Sequence, residues 1–270
     1  FSPGYFLMLL TGIYLFIQYK QKQQKKALED ERKNNELAEA KTLQERLLPK
    51  TLPLVKDLDI AGYLRTSTEV GGDYYDFFEI NDGSLYAICG DATGHGTPSG
   101  MLVSITKAGL IGLPQMEPKD MLHELNRVVK KVDLGILRMS LNIAYIKGDQ
   151  LTLSSAGMPP YFIYRAATNT TEEILISGVP LGSFNQVTFD QIKTTFKAGD
   201  ILAIISDGLA EAPNATGELF DYPRIQNIIN ENSNMNSQTL IEKLMSEADT
   251  WLAGKHNPDD ITIVIIKHNI

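Results

Sequence analysis

Gly90-Asp91-Ala92-Thr93-Gly94-His95-Gly96-Thr97-Pro98-Ser99-Gly100-Met101 is the stretch on which the reading of this chain turns. The apolar, β-favouring run Leu85-Tyr86-Ala87-Ile88-Cys89 delivers an aspartate into a glycine-rich turn, and an amphipathic helix pattern starts near Thr97-Pro98. Strand, acid, glycine turn and helix follow one another directly. Glycines let backbone amides and carbonyls approach a bound ion or phosphate without side-chain interference, which suits a carboxylate held at a strand end. Asp-x-x-Gly-x-Gly is also an ordinary turn and N-cap, so its meaning depends on the rest of the chain.

Outward from this stretch, short β-type runs alternate with turns. They cover residues 58–65, 74–80, 85–89, 139–147, 150–155, 161–164, 173–176, 189–196, 201–206 and 261–267. Asn81-Asp82-Gly83 and Lys147-Gly148-Asp149 have the composition of hairpin turns, so the sheets are expected to be mostly antiparallel. Helical patterns are few, at about 98–112, 118–131, 224–230 and 237–252. Placed on the outer sheet faces, they give an α+β fold, a four-layer α/β/β/α sandwich.

Four aspartates sit in one kind of context, at the edge of an apolar run and next to glycine or a second aspartate. They are Asp73 in Val70-Gly71-Gly72-Asp73-Tyr74-Tyr75-Asp76, Asp91, Asp207 in Ile204-Ile205-Ser206-Asp207-Gly208, and Asp259 in Pro258-Asp259-Asp260-Ile261-Thr262. Any one of them alone reads as a turn residue. Four together would repel one another without a cation, and hard cations of the magnesium or manganese kind take oxygen ligands. Water whose pKa such ions lower is a nucleophile suited to a phosphorus centre. The single Cys89 lies inside an apolar strand pattern and reads as core; it excludes a disulfide framework and a cysteine-rich zinc site. A net charge of −8, with no sustained basic surface beyond the first part of the chain, argues against nucleic acid as a partner.

The N-terminal part differs in character. Residues 5–17 are nearly all apolar, and Lys20, Lys22, Lys25 and Lys26 follow at once. The expectation is the end of a transmembrane segment over 1–19, with sequence missing before Phe1 and the remainder cytoplasmic by the positive-inside rule. Residues 20–52 read as a helical linker, with Leu37, Ala40, Gln44 and Leu47 forming a short stripe that allows dimerisation as a coiled coil. Pro49 and Pro53 end it, and the globular domain is placed at 53–270.

Five motifs in order, Val70-Gly71-Gly72-Asp73-Tyr74-Tyr75-Asp76, Gly90-Asp91-Ala92-Thr93-Gly94-His95-Gly96, Ser155-Ala156-Gly157-Met158-Pro159-Pro160, Ser206-Asp207-Gly208-Leu209-Ala210-Glu211-Ala212 and Asp259-Asp260-Ile261-Thr262, resemble the bacterial SpoIIE/RsbU-like branch of the PPM-type metal-dependent serine/threonine phosphatases. The resemblance implies a β-sandwich flanked by helices and two Mn²⁺ or Mg²⁺ ions. Around the ions it places Asp73, Asp91, the Ala92 carbonyl, Asp207 and Asp259, with Asp91 bridging and Asp91 and Asp73 central to catalysis. Asp76, Gly208, Glu211 and Asp260 would stand just outside the ligands.

The implied substrate is phosphoserine or phosphothreonine on a STAS-domain protein. The implied setting is a bacterial inner-membrane protein whose linker, ending at Thr42-Leu43-Gln44-Glu45-Arg46-Leu47-Leu48-Pro49, pairs with that of a second copy and shifts the helices after Pro98 and Pro118. Many eukaryotic relatives carry a histidine two residues after the bridging aspartate; this chain has Thr93 there and His95 two positions later, leaving His95 as either general acid or turn residue. Arg65 and Arg138 are the candidate arginines for gripping phosphate. The rival readings are a docking module of the same fold without turnover, and a nucleotide cyclase domain suggested by Gly71-Gly72-Asp73, against which Tyr74 and Tyr75 stand.

Overall fold

The computed structural model describes residues 3–68 and 70–269. It divides into two compact units, Phe1–Leu43 and Gln44–Ile270. The first is most of one helix, α1 (Pro3–Glu45). From residue 13 to its end α1 contains neither glycine nor proline, and Arg32 and Glu36 pair across one turn at 3.3 Å. Among the described residues no helix is long and apolar enough to cross a membrane. The expected transmembrane segment is therefore not shown: at 1.5 Å per residue, the apolar run over 5–17 covers about 20 Å of a roughly 30 Å hydrocarbon layer.

The second unit contains two five-stranded antiparallel sheets. One has the order β1 (Leu58–Arg65), β10 (Ile261–His268), β9 (Ile201–Ile205), β6 (Tyr161–Arg165), β7 (Thr170–Ile174). The other runs β2 (Asp73–Glu79), β3 (Leu85–Ala92), β4 (Met139–Lys147), β5 (Gln150–Ala156), β8 (Gln191–Thr195). Period-two alternation sends each strand's side chains into two different cores. Along β10, Val264 and Ile266 enter the core between the sheets, while Ile261, Ile263 and Ile265 pack beneath α5 (Tyr222–Glu231) and α6 (Ser237–Leu252). Along β3, Leu85, Ala87 and Cys89 face the other sheet; Tyr86 and Ile88 pack under α2 (Thr97–Gly112) and α3 (Pro118–Val132). The layers are thus helices, sheet, sheet, helices, as the patterning predicts, and Cys89 is fully buried core.

Three local differences have identifiable causes. β3 continues past Cys89 through Asp91 and Ala92, because Asp91 pairs with Asp73 on one side and Ser140 on the other. β7 starts at Thr170 rather than 173, because Asn169 takes a left-handed conformation (φ 54°) and bonds back to the Arg165 carbonyl at 2.8 Å, closing a tight hairpin early. The helix α4 (Asp207–Ala210) is too short to produce a periodic signal.

Candidate metal centre

Asp73 and Asp91 face each other across the β2–β3 ladder, at the end of the sheet. Both lie on the alternation phase of Tyr75 and Cys89, which points to the opposing sheet. That sheet presents Ser206 at the end of β9 and Thr262 in β10. Their hydroxyls donate to Asp73 Oδ2 at 2.8 and 2.7 Å, and the Ser206 Oγ accepts from the Thr262 amide at 2.9 Å. Asp207 opens α4 one residue after Ser206, and Asp259 stands just before β10. Sheet packing therefore gathers four acids that are up to 186 positions apart, the span from 73 to 259.

The carboxylates sense one another. Burial, then the charge of Asp91, raises the Asp73 pKa well above the usual value despite its two hydroxyl donors. Burial, then Asp207 and Asp259, pushes Asp91 up to about 8. Asp207 is raised by burial and then by Asp259 and Glu211, and Asp259 by burial, with its bond from the Asp260 amide and the nearby His95 opposing. A cation would relieve this shared cost. Among the described residues no three His, Cys, Asp or Glu side chains form a ready-made cation cage. The donor set nevertheless fits a hard cation, since it is all oxygen, and the backbone is shaped for it. A methyl group on Gly72 would collide with the Ala92 carbonyl oxygen and come within 2.9 Å of Asp91 Oδ1, and the Ala92 amide donates to the Gly72 carbonyl at 2.9 Å.

Asp260 holds the approach to Asp73. Its Oδ1 accepts from the Ser67 amide and hydroxyl at 2.6 and 3.0 Å, and its Oδ2 accepts from the Gly72 and Asp73 amides at 2.8 and 3.4 Å. Gly208 sits against the Asp260 backbone, and the Glu211 amide bonds the Asp207 carbonyl at 2.8 Å. Asp76 is elsewhere. Three residues on from Asp73, it faces the helix layer, where its Oδ2 accepts from Tyr74 Oη at 2.6 Å and Lys107 Nζ of α2 at 2.7 Å. Strand alternation forbids Asp73 and Asp76 a common face.

His95 lies exposed in a turn whose Gly94 and Gly96 both have positive φ (82° and 84°), and it sits close enough to Asp259 to bear on its ionisation. Of the two arginines, Arg138 bonds the Gly135 and Leu137 carbonyls of its own loop, whereas Arg65 lines a cavity of about 130 Å³ together with Asp259, while also bonding Asp249 at 2.6 Å. Ser206, Thr262 and Ser67 stood inside or beside the quoted motifs, but their roles depend on pairing between segments and have no sequence signal. Gln44 is a further case: its Nε2 donates to the Gly71 carbonyl at 2.6 Å and its Oε1 accepts from the Gly71 amide at 2.9 Å. Lys107 also donates to the Leu47 carbonyl, so residues 44–47 meet both the loop before Asp73 and α2.

Two facing antiparallel sheets, covered by helices and ending in four aspartates, define a phosphatase domain of the PP2C class. The solved SiaA-PP2C domain of Pseudomonas aeruginosa has this fold, with a TM-score of 0.78 over 89% of this chain and 98% of its own at 18% identity. The chain belongs to the family described as Stage II sporulation protein E (SpoIIE), which matches residues 81–269. It is 27% identical over 256 residues to phosphoserine phosphatase RsbU of Bacillus subtilis (strain 168), covering 93% of this chain and 75% of that protein. The chain spans only part of its relatives' length, 75% of RsbU, 57% of phosphoserine phosphatase RsbP and 24% of Stage II sporulation protein E of Bacillus subtilis (strain 168). RsbX, solved in complex with magnesium, shares the fold with a TM-score of 0.62 at 14% identity, over 80% of this chain and 98% of that one.

Proposed function

We infer that this chain is a protein serine/threonine phosphatase of bacterial signalling, which hydrolyses phosphoserine or phosphothreonine on a partner protein. The observation that carries this reading is the convergence of Asp73, Asp91, Asp207 and Asp259 at one end of a PP2C-class sandwich. In this reading Asp73, Asp91, the Ala92 carbonyl, Asp207 and Asp259 hold two Mn²⁺ or Mg²⁺ ions. Those ions, when bound, supply a water of lowered pKa and offset charge on the phosphoryl oxygens.

The chain's own residues do the rest. In this reading Asp91, which is influenced by both Asp207 and Asp259 and itself acts on Asp73, is the carboxylate that would serve both ions. Ser206 and Thr262 fix Asp73 so that it presents without rotating. In the same reading Arg65, on the cavity wall shared with Asp259, would meet a phosphate oxygen, and the exposed His95 would serve as the general acid for the departing serine or threonine oxygen. The test is hydrolysis of a phosphate ester by residues 44–270, in EDTA and then with added Mn²⁺, beside Asp207→Asn. Turnover that requires both the metal and Asp207 is expected. Metal-independent turnover, or full activity in the variant, would sink the reading, and absence of both Mn²⁺ binding and turnover would favour a docking module.

Three further features belong to the same reading. A STAS-domain phosphoprotein is the substrate, as the family resemblance implies; transfer of ³²P from such a protein to water measures it directly, and a STAS phosphoprotein left intact by an otherwise active enzyme would exclude it. The apolar run over 5–17, with Leu7, Met8, Leu15 and Phe16 exposed, and the lysines after it support attachment to the inner face of the bacterial cytoplasmic membrane. The rest of α1 supports pairing with a second copy, and Gln44 and Lys107 connect its end to the aspartate loop and α2. Removing residues 1–26 is expected to move the chain from the membrane pellet to the supernatant, and removing 1–43 to leave a monomer in sedimentation. An unchanged pellet fraction or a persistent dimer would remove the respective proposal.

A further inference from the structure

Asp207 and Asp259 lie on two loops just beyond the paired ends of β9 and β10, past the last ladder pair, Ile205 with Ile263. Asp207 opens the four-residue helix α4, and Asp259 lies in the loop between α6 and β10. One side chain bridges them. Asn257, only 6% exposed, donates through Nδ2 to the Gly208 carbonyl at 3.0 Å and to the Asp259 carbonyl at 2.7 Å. The reverse amide orientation would set Oδ1 against two carbonyl oxygens, so the donor assignment is unambiguous.

We propose that Asn257 is a positioning residue for the metal centre, a neutral clamp that sets the spacing of Asp207 and Asp259 by binding the backbone at both. This inference rests on the reading of those aspartates as cation ligands. Three observations favour a positioning role over ordinary packing. The two carbonyls it joins belong to Asp259 itself and to the residue following Asp207. The acceptor half of the amide, Oδ1, is buried with no protein partner among the described residues, so both of the bonds this side chain makes within the protein are donated to the two loops. The group is also uncharged: a lysine or arginine bridging the same carbonyls would place a cation beside carboxylates whose negative potential attracts the metal, whereas an amide fixes the loops and leaves that potential intact.

The test compares Mn²⁺ affinity by calorimetry with folding followed by circular dichroism in EDTA, using the full chain. Asn257→Ala is expected to bind Mn²⁺ at least about tenfold more weakly than the wild type, the usual scale for losing a group that orients metal ligands. Asn257→Ser, which retains one donor, should fall between, and it carries the comparison if the alanine variant does not fold. Asn126→Ala is the control: Asn126 is equally buried and bridges the Gly182 amide and the Phe184 carbonyl, away from the acids, so it should lower thermal stability and leave Mn²⁺ affinity unchanged. Wild-type affinity in a folded Asn257→Ser, or an equal loss of affinity in the Asn126 control, overturns the clamp. A wild-type chain that takes up no cation overturns the metal reading, and the clamp with it.

Discussion

Asp91→Asn is expected to lower metal-dependent phosphatase activity by about 10³-fold or more, equivalent to roughly 4 kcal/mol of transition-state stabilisation, while making the metal-free protein more stable. The two effects have opposite signs for one reason. In the metal-free state Asp91 is buried among Asp207, Asp259 and Asp260, which pushes its carboxyl from 3.8 up to about 8. A folded state that holds this proton more tightly than the unfolded chain has its full stability below about pH 3.8 and loses it as the pH rises toward about 8. An amide at position 91 keeps the shape and removes that loss. In EDTA at pH 7.5 the variant should melt about 2–6 °C above the wild type, and the order should reverse on adding Mn²⁺, which stabilises only the protein that binds it. A variant that melts below the wild type in EDTA would show that repulsion among these acids is not what strains the site. Retained turnover would remove Asp91 from the chemistry.

Gly208→Ala should be the most damaging single-methyl change in the domain. Its new Cβ would collide with the Asp260 carbonyl oxygen and lie 2.9 Å from the carbon that bears it, so backbone rather than a flexible side chain must yield. Asp260 in turn holds the Gly72 and Asp73 amides, so a shift there is passed to the opposite sheet. We expect a stability loss of about 1–3 kcal/mol, in the range of overpacked cores, and at least about a hundredfold loss of activity. Gly112→Ala supplies the contrast, since a methyl group at the end of α2 meets nothing within 4 Å. Melting temperature and Mn²⁺-dependent turnover of the two variants decide the matter: a Gly208→Ala enzyme indistinguishable from Gly112→Ala would mean that the α4 and β10 loops are free to separate without consequence.

The close approach at Gly208 also explains why this centre was only partly legible beforehand. The motif around it displays a glycine after an aspartate, which in a sequence is a turn dipeptide; that the glycine lies against Asp260 becomes visible only when β9 and β10 are paired. Gln44 is similar. In sequence it belongs to a weak helical stripe, whereas in the fold it exchanges two hydrogen bonds with Gly71. Asp76 shows the opposite failure, where nearness in sequence suggested nearness to the ligands and strand alternation turned the side chain toward Lys107 instead.

By itself, the sequence determined the elements and layers, because period-two and helical burial patterns are local consequences of backbone geometry: the four longer helices of the second unit and all its strands but the displaced β7 lie where the patterns place them, give or take a few terminal residues. It also marked Asp73, Asp91, Asp207 and Asp259, since an acid beside glycine at a strand end is a local feature. The tertiary structure alone decided which groups hold those acids, with Ser206 and Thr262 on Asp73, Asp260 beneath Gly72, and Asn257 across Gly208 and Asp259. Each of those contacts except the bond from Asn257 to Asp259 joins segments far apart in the chain. A hydrogen bond between distant segments leaves no periodicity in either one, and only sheet packing brings its two halves together.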